Sequence, residues 1–153
     1  MPSKKELSIK IKSVEMSKMK IQLRDIAPPS KGDEDADLEW LCQTLGLFTK
    51  KDCDGSAQKV FTLVVKGSIE GEPKTSTEIA ENLGLTRGAV LFHMKKFSAS
   101  GLVRQGEGRK YVLRDTCLED TVSEMMRDAQ RCFERMRKVA AEIDRELGVE
   151  KRW

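Results

Sequence analysis

The run TSTEIAENLGLT constrains the fold of this chain more than any other feature. Thr75 and Glu78 have the spacing of a capping box, which marks the start of a helix. Gly84 stands where that helix would end, because glycine readily adopts the left-handed conformation that closes a helix. Thr86 follows at once and can cap a second helix. The sequence therefore predicts two short helices joined by a very tight turn.

The second of these helices has one clearly inward face. Val90, Met94, Phe97 and Gly101 fall within about 60° of one another on a helical wheel. Ala80, on the preceding helix, is small enough to let the two helices cross closely. We expect this face to pack into the core of the domain.

Further elements surround the two helices. Asp54 can cap an earlier helix that carries an apolar stripe, and Thr116 with Glu119 has the spacing of a capping box for a last helix. Between them, LVRQGEGRKYVLR predicts two short strands with Gly106 and Gly108 at the turn. The expected fold class is mainly α with small β elements (α+β).

The stretch EIAENLGLTRGAVLFHMKKFSASGLV resembles a run found in archaeal winged helix-turn-helix transcription regulators of the ArsR-like type. Their pattern, ELA..LG.S...V..HL..L...GLV, is matched here at Ile79, Ala80, Leu83, Gly84, Leu85, Val90, His93, Met94, Phe97, Gly101, Leu102 and Val103. The resemblance covers about 60–114, and it implies a winged-helix DNA-binding domain followed by a dimerisation helix. ArsR-type metal sensors carry a cysteine cluster or paired carboxylate and histidine ligands, which this chain lacks, so metal sensing is not implied.

Charge supports duplex DNA as the partner. Although the whole chain carries only +3, residues 86–114 hold seven Lys or Arg and one acidic residue. We expect a recognition helix at about 86–98 in the major groove and a basic wing at about 104–110. The candidate DNA-binding residues are Thr86, Arg87, Gly88, Ala89, Leu91, Phe92, Lys95, Lys96, Arg104, Arg109 and Lys110.

The outward face of the recognition helix is unusually apolar. Gly88 and Ala89 remove bulk, so that the backbone can approach the groove. Leu91 and Phe92 can contact thymine methyl groups, while Arg87 can reach a guanine or a phosphate. The two lysines would hold phosphates, which positions a helix without reading sequence. His93, which flanks the inward face, fits a packed or phosphate-contacting residue.

Other interpretations remain open at this point. Another part of the chain could cover Leu91 and Phe92, which would weaken or gate DNA binding, and the wing could be merely a solvated hairpin. The same fold could serve a nucleoid-associated architectural protein that binds DNA with little sequence specificity. It could also serve a winged-helix protein-interaction module that docks through Leu91 and Phe92.

A long helix is predicted over about 117–147, ending at Gly148. Apolar residues recur in it with a heptad period, which is typical of coiled-coil pairing. A helix of about 30 residues is about 45 Å long, more than a small domain can cover, so we expect a homodimer. The predicted dimer seam consists of Leu118, Val122, Met125, Ala129, Cys132, Met136, Val139 and Ile143, and Met126, Phe133, Ala140 and Leu147 widen it.

The predicted organisation has four parts. Residues 1–30 form a basic N-terminal arm or β-hairpin, because apolar residues alternate with polar ones over 6–26. Residues 31–53 form an acidic linker with a short helix at about 35–46. Residues 54–114 form the winged helix-turn-helix domain, and 115–153 the dimerisation helix.

Several functions are not expected. The sequence has no P-loop, GxSxG or HExxH motif and no paired carboxylates in a plausible pocket, so we expect no enzyme. One histidine and four cysteines without CxxC spacing predict no metal site, no cofactor and no evident metal or small-molecule effector. Neither a membrane span nor a signal peptide is expected, which predicts a cytoplasmic, nucleoid-associated protein.

Overall fold

The computed structural model describes residues 20–30, 32–48 and 54–150. Helices dominate these ranges, and two short strands form one antiparallel hairpin. The predicted class, mainly α with small β elements, is confirmed. In chain order the elements are α1 (Glu34–Thr44), α2 (Ser56–Glu70), α3 (Ser76–Leu83), α4 (Arg87–Ser100), β1 (Val103–Gln105), a 3-10 turn (Glu107–Arg109), β2 (Tyr111–Leu113) and α5 (Leu118–Glu146).

The tight turn between α3 and α4 forms as its sequence predicts. Thr75 Oγ1 accepts a hydrogen bond from the backbone N–H of Glu78 at 3.2 Å. Gly84 closes α3 in the left-handed region, with φ of 63°. Thr86 Oγ1 then accepts from the N–H of Ala89 at 3.1 Å, which starts α4. Only Leu85 separates the Gly84 stop from the Thr86 cap, so these local signals fix where each helix ends and begins.

The inward face of α4 is the centre of the core. Val90, Met94 and Phe97 are almost completely buried, as the helical wheel predicts. The Phe97 ring packs against Phe61 of α2, with 5.3 Å between ring centroids. Such contacts between large apolar side chains supply most of the stabilisation of a small domain, and here they hold α4 against α2 so that its opposite face points outward.

The hairpin that follows α4 is a wing. Its strands pair with Val103 opposite Leu113 and Gln105 opposite Tyr111. Tyr111 also donates its N–H to the carbonyl of Lys74 at 2.9 Å, which adds a single bridge from the segment before α3. Helix, helix, tight turn, helix and β-hairpin is the order of a winged helix-turn-helix, and the long C-terminal helix is also present.

Two helices begin differently from the prediction. Gly55, with φ of 71°, occupies the N-cap of α2, so Asp54 lies one residue outside and accepts from the N–H of Ser56 at 3.1 Å. This bond is the main reason that the pKa of the Asp54 carboxyl lies below its usual value. At α5 the N-cap is Cys117, whose Sγ accepts from Asp120 N–H at 3.5 Å. The predicted capping box of Thr116 and Glu119 is therefore wrong, since the cap lies one residue further along.

The N-terminal hairpin predicted over 6–26 lies largely outside the described residues. Residues 20–30 contain no strand. Instead, this segment is tied at two points, since Lys20 N–H donates to the carbonyl of Ala99 at 2.7 Å and Arg24 N–H to that of Thr44 at 2.8 Å. The second predicted strand is therefore replaced by a connection between the ends of α4 and α1. The predicted helix at about 35–46 corresponds to α1.

The long helix α5 has two different halves. In the first half, Thr121 is 0% and Met125 3% exposed, because both pack on the winged domain. Beyond Gln130 almost every residue up to Glu150 is exposed, Ala141 being half-buried. Several of these exposed side chains are large and apolar. The second half therefore projects from the domain without cover from the described part of its own chain.

Candidate nucleic-acid interface

The outward face of α4 presents most of the predicted DNA-binding residues to solvent. Thr86, Arg87, Gly88 and Lys95 are exposed, and Ala89 and Lys96 are half-buried. Leu91 is 38% and Phe92 53% exposed. Within the described residues, therefore, no segment covers the apolar pair, and the whole predicted face is open on one side of the domain.

Phe92 carries a cation over its ring. The ammonium group of Lys96 lies 4.5 Å from the ring centroid, a distance at which a cation is attracted to the negative face of an aromatic ring. This contact brings a positive charge and an apolar surface together one turn apart on α4. Such a pair can meet a phosphate and a base methyl group at the same time.

Arg87 is held at the junction of the two short helices. Its Nε donates to the hydroxyl of Ser76, the first residue of α3, at 3.4 Å. Arg87 also begins α4, where the helix dipole favours a bound anion. This geometry directs the guanidinium toward the helix N-termini, which suits a phosphate contact better than a reach along the groove to a guanine.

The wing tip is tightly turned and basic. Gly106 donates its N–H to the carbonyl of Lys110 at 2.7 Å, which closes the loop. Arg109 has φ of 58°, the positive-φ non-glycine residue of the described chain. This left-handed conformation is unfavourable for a residue with a side chain, so the tip keeps Arg109 at a cost in stability. Strain of this kind is often found at functional positions.

The base of the wing is fixed to α5. Arg104 Nε donates to the carbonyl of Arg114 at 3.3 Å, and the Arg114 guanidinium pairs with Asp128 of α5 at 2.5 Å. The hydrogen bond from Arg114 holds the pKa of the Asp128 carboxyl below its usual value. Arg104 is thus exposed but partly engaged within the wing, while Arg109 and Lys110 project at the tip.

A shallow groove runs between α4 and the wing. Leu91, Lys95 and Arg104 line it, together with two polar residues that the sequence reasoning missed, Ser98 and Gln105. Ser98 follows Lys95 by three residues and Leu91 by seven, so the helical period of the outward face could have identified it. Gln105 ends β1, and its position beside α4 follows from the packing of the wing on that helix.

His93 is a packing residue. Its side chain is 5% exposed, and its Nε2 lies 3.0 Å from the hydroxyl of Ser56. The imidazole also stacks on Phe97, with 6.4 Å between centroids. Of the two roles expected for His93, the geometry favours the packed one, and phosphate contact is not open to a ring buried in this way.

Two kinds of site are absent from the described ranges. There, no cluster of His, Cys, Asp and Glu side chains is arranged to hold a metal ion. Likewise, none of the helices in these ranges has both the length and the apolar composition that crossing a bilayer requires.

Comparison with known protein families gives one match, which lies in the central domain. Residues 55–106 match the family described as a helix-turn-helix domain. The match runs from the start of α2 through β1 to the turn of the wing, and it supports a DNA-binding regulator; helix-turn-helix domains of this kind are typically non-enzymatic. No curated protein and no solved structure matches the chain significantly.

Proposed function

We propose that this chain is a homodimeric transcription regulator that binds duplex DNA through its helix-turn-helix domain. One observation carries the proposal. Lys95, Lys96, Arg104, Arg109 and Lys110 share the surface formed by α4 and the wing, and in the described residues no ion pair links any of them to a carboxylate. A cluster of uncompensated cations on an exposed helix and an adjacent hairpin suits the phosphate backbone of DNA.

In this proposal α4 enters the major groove and the wing tip lies at the neighbouring minor groove. Gly88 and Ala89 allow the start of α4 to approach the DNA closely, and Leu91 and Phe92 contact thymine methyl groups. Arg109 reaches into the minor groove, whose negative potential attracts arginine. The resemblance to archaeal ArsR-like regulators agrees with this arrangement.

The dimer part of the proposal comes from α5. Its second half exposes Phe133 to 64% and Met136 to 57%, and a helix in a protein gains most of its stability by packing its apolar face on another surface. Two copies paired through this half would present two α4 helices to successive major grooves, about 34 Å apart.

Charge removal from α4 tests the DNA-binding surface. We expect Lys95→Ala with Lys96→Ala to weaken binding to every duplex, and to flatten the slope of log affinity against log salt by about 4, because each phosphate contact contributes about 0.9 and the two copies together lose four contacts. Fluorescence anisotropy with a labelled duplex, titrated at several salt concentrations, measures both quantities.

The matched control removes two lysines elsewhere on the domain. Lys59 and Lys66 of α2 are exposed, and Lys66 pairs with Glu34 of α1 at 3.5 Å. Lys59→Ala with Lys66→Ala changes the net charge equally, yet it should leave the salt slope nearly unchanged. If both double variants lower the slope equally, the cations act as a general field and α4 is not the contact surface.

A second candidate function is that of a nucleoid-associated architectural protein. The composition of the outward face favours it, because Leu91 and Phe92 occupy positions where polar residues would read base edges. Competition between random duplex and duplex selected for binding separates the two functions. A specificity ratio of about 10³ or more supports the regulator, and a ratio near one supports the architectural protein.

A third candidate is a protein-interaction module, favoured by the exposure of Phe92. In that case the cations are merely solvated, and the chain binds no duplex even at low salt, where nonspecific binding is strongest.

A further inference from the structure

Most of the apolar side chains along the open side of α5 follow one regular spacing, and the exposed Val139 lies beside it. From Val122 to Leu147 the intervals alternate between four and three residues, the period of a coiled-coil seam. This set, here called the outer stripe, spans about 38 Å at 1.5 Å per residue. Its members are Val122, Met126, Ala129, Phe133, Met136, Ala140, Ile143 and Leu147, of which six are 39–77% exposed large hydrophobics.

The outer stripe differs from the seam expected from sequence. That seam includes Met125, which is 3% exposed because it packs into its own core, and Leu118, which also packs against that core. These two residues lie on the same side of α5 as Asp128, which is held by Arg114. The first half of that side is therefore occupied by the protomer's own domain, and the surface left open is centred on the outer stripe.

The two flanks of the outer stripe have opposite character. On one flank, following Met125 at intervals of seven, lie the exposed apolar residues Cys132 and Val139, and Glu146 at the end of the helix. The other flank carries the polar residues Gln130, Arg137 and Asp144. In a parallel pair of helices each flank faces the opposite flank of the partner, whereas in an antiparallel pair each flank faces its own kind.

This difference in character decides the orientation of a pair. A parallel pair would place Cys132 beside Arg137 of the second copy and Val139 beside its Asp144, so apolar groups would meet charged ones. An antiparallel pair instead places Cys132 beside Val139 of the second copy, and Gln130 beside its Arg137. Glu146 of the second copy then lies next to Met125, whose side chain is already covered by its own domain. Burial of a charge against an apolar group is costly, so the antiparallel order is favoured.

We propose that α5 pairs antiparallel with α5 of a second copy of this chain across the outer stripe. The inference rests on the homodimer of the proposed function and names its interface. The layers are then Val122 with Leu147, Met126 with Ile143, Ala129 with Ala140 and Phe133 with Met136, each residue of one copy facing its counterpart in the other. The layer of two alanines lets the helices approach closely beside the bulky central layer.

The ionic groups of α5 agree with a second copy rather than a charged partner. Glu134 pairs with Arg137 at 2.6 Å and Asp128 with Arg131 at 3.4 Å, and further pairs three residues apart join Glu124 to Arg127 and Glu142 to Arg145. Because these charges are compensated within the helix, the outer stripe presents an apolar surface without a net field. An identical apolar surface is its natural complement.

Disulfide cross-linking tests the orientation directly. The background variant carries Cys53→Ser, Cys117→Ser and Cys132→Ser in the full chain, and serine retains the cap at position 117. Cys42 is kept, since burial raises the pKa of its thiol to about 12 and so leaves it unreactive. Into this background Ala129→Cys and Ala140→Cys are introduced separately, and the covalent dimer is measured on a nonreducing gel after mild oxidation.

The antiparallel pair predicts that neither single variant cross-links, whereas an equimolar mixture of the two forms a covalent dimer. If each single variant cross-links alone, the helices are parallel, and this inference is overturned while the homodimer stands. A dimer that cross-links under none of these conditions excludes the outer stripe as the interface. Sedimentation of the unoxidised chain is measured first, because a monomer would overturn the dimer of the proposed function itself.

Discussion

Two exposed apolar surfaces of this molecule invite comparison, the outward face of α4 and the outer stripe of α5. Phe92 on α4 is 53% exposed and Phe133 on α5 is 64% exposed, so burial alone does not distinguish them. The difference lies in the charges beside them. Near Phe92 lie Lys95 and Lys96 without an ion pair in the described residues, whereas Glu134, next to Phe133, is paired with Arg137.

This contrast teaches how to assign a partner to an exposed apolar group. Uncompensated cations around an apolar side chain attract a polyanion, and the apolar group then adds contacts to base edges. Where the neighbouring charges are paired with each other, burial of apolar surface is the main contribution to binding, so a second apolar surface is the favoured partner. The two surfaces should therefore respond differently to salt and to mutation.

The largest effect is expected from a charge placed in the outer stripe. Phe133→Asp would bury a carboxylate between two helices, so we expect a monomer and a fall in duplex affinity of about 100-fold or more, since both half-sites no longer bind together. Sedimentation and anisotropy measure the two effects. Lys138→Asp introduces the same residue on the opposite side of α5 and should leave the dimer intact; monomers in both variants would contradict the assignment of the stripe.

Leu91 and Phe92 on α4 should affect the discrimination between DNA sequences more than the affinity for random duplex. We expect Phe92→Ala to lower the ratio of selected to random duplex affinity by about tenfold, in the range of a single mismatched base pair, with affinity for random duplex nearly unchanged. Competition titrations check the ratio, and Ile69→Ala, at an exposed apolar residue of α2, is the control. An unchanged ratio would remove Phe92 from base reading.

A smaller effect is expected from a substitution at the wing tip, which should raise stability and weaken DNA binding. Arg109→Gly should raise the free energy of unfolding by about 1 kcal/mol, because glycine adopts the left-handed conformation without strain. The same change should reduce the salt slope of duplex binding by about 2, because one cation at the DNA is lost from each of the two copies and each contributes about 0.9. Arg109→Lys retains both charge and strain and should change neither quantity much. A salt slope unaffected by Arg109→Gly would place the tip away from DNA.

The smallest effect concerns the ion pair between the wing and α5. Asp128→Asn should lower the free energy of unfolding at pH 7 by about 0.5–1 kcal/mol, since the pair is only partly buried. The folded-state pKa of Asp128 is lowered, so its contribution is present above the unfolded carboxyl pKa of about 3.9 and is lost as pH falls through the folded value. Wild type and variant should thus converge in urea denaturation as the pH is lowered below the folded-state pKa of Asp128.

Glu134→Gln is the comparison for this ion pair, because its bond to Arg137 lies on the exposed surface of the same helix. We expect it to lower stability less than Asp128→Asn does. An equal loss in the two variants would mean that the contact between wing and helix adds nothing beyond an ordinary surface pair.

The parts of the fold that could be predicted from sequence depend on short-range signals. Thr75, Gly84 and Thr86 act within a few residues, and the helical period places Val90 and Phe97 in the core. Each of these signals fixes a helix end or a buried face through nearby residues alone, so the helix-turn-helix can be predicted from them. Each predicted DNA-binding residue of α4 also lies on or beside its open face.

The rest could not be predicted because it depends on contacts distant in sequence. The apolar band of α5 is broad enough to contain two surfaces, and only the fold shows that Met125 belongs to the domain. Likewise, the hydrogen bond between Arg87 and Ser76 and the position of Gln105 beside α4 arise from tertiary packing. The alternation of apolar and polar residues over 6–26 predicts a strand, whereas the chain at 20–30 is held by hydrogen bonds to the carbonyls of Ala99 and Thr44.

The most direct test of the whole account is the salt dependence of duplex binding by the intact chain. Anisotropy of a labelled duplex of about 30 base pairs is titrated with the protein between about 50 and 200 mM salt. We expect binding at low salt and a linear fall of log affinity with log salt, with a slope of about −5 or steeper from Lys95, Lys96 and Arg109 on each of two copies. Absence of binding at 50 mM salt, or an affinity that does not change with salt, would contradict it.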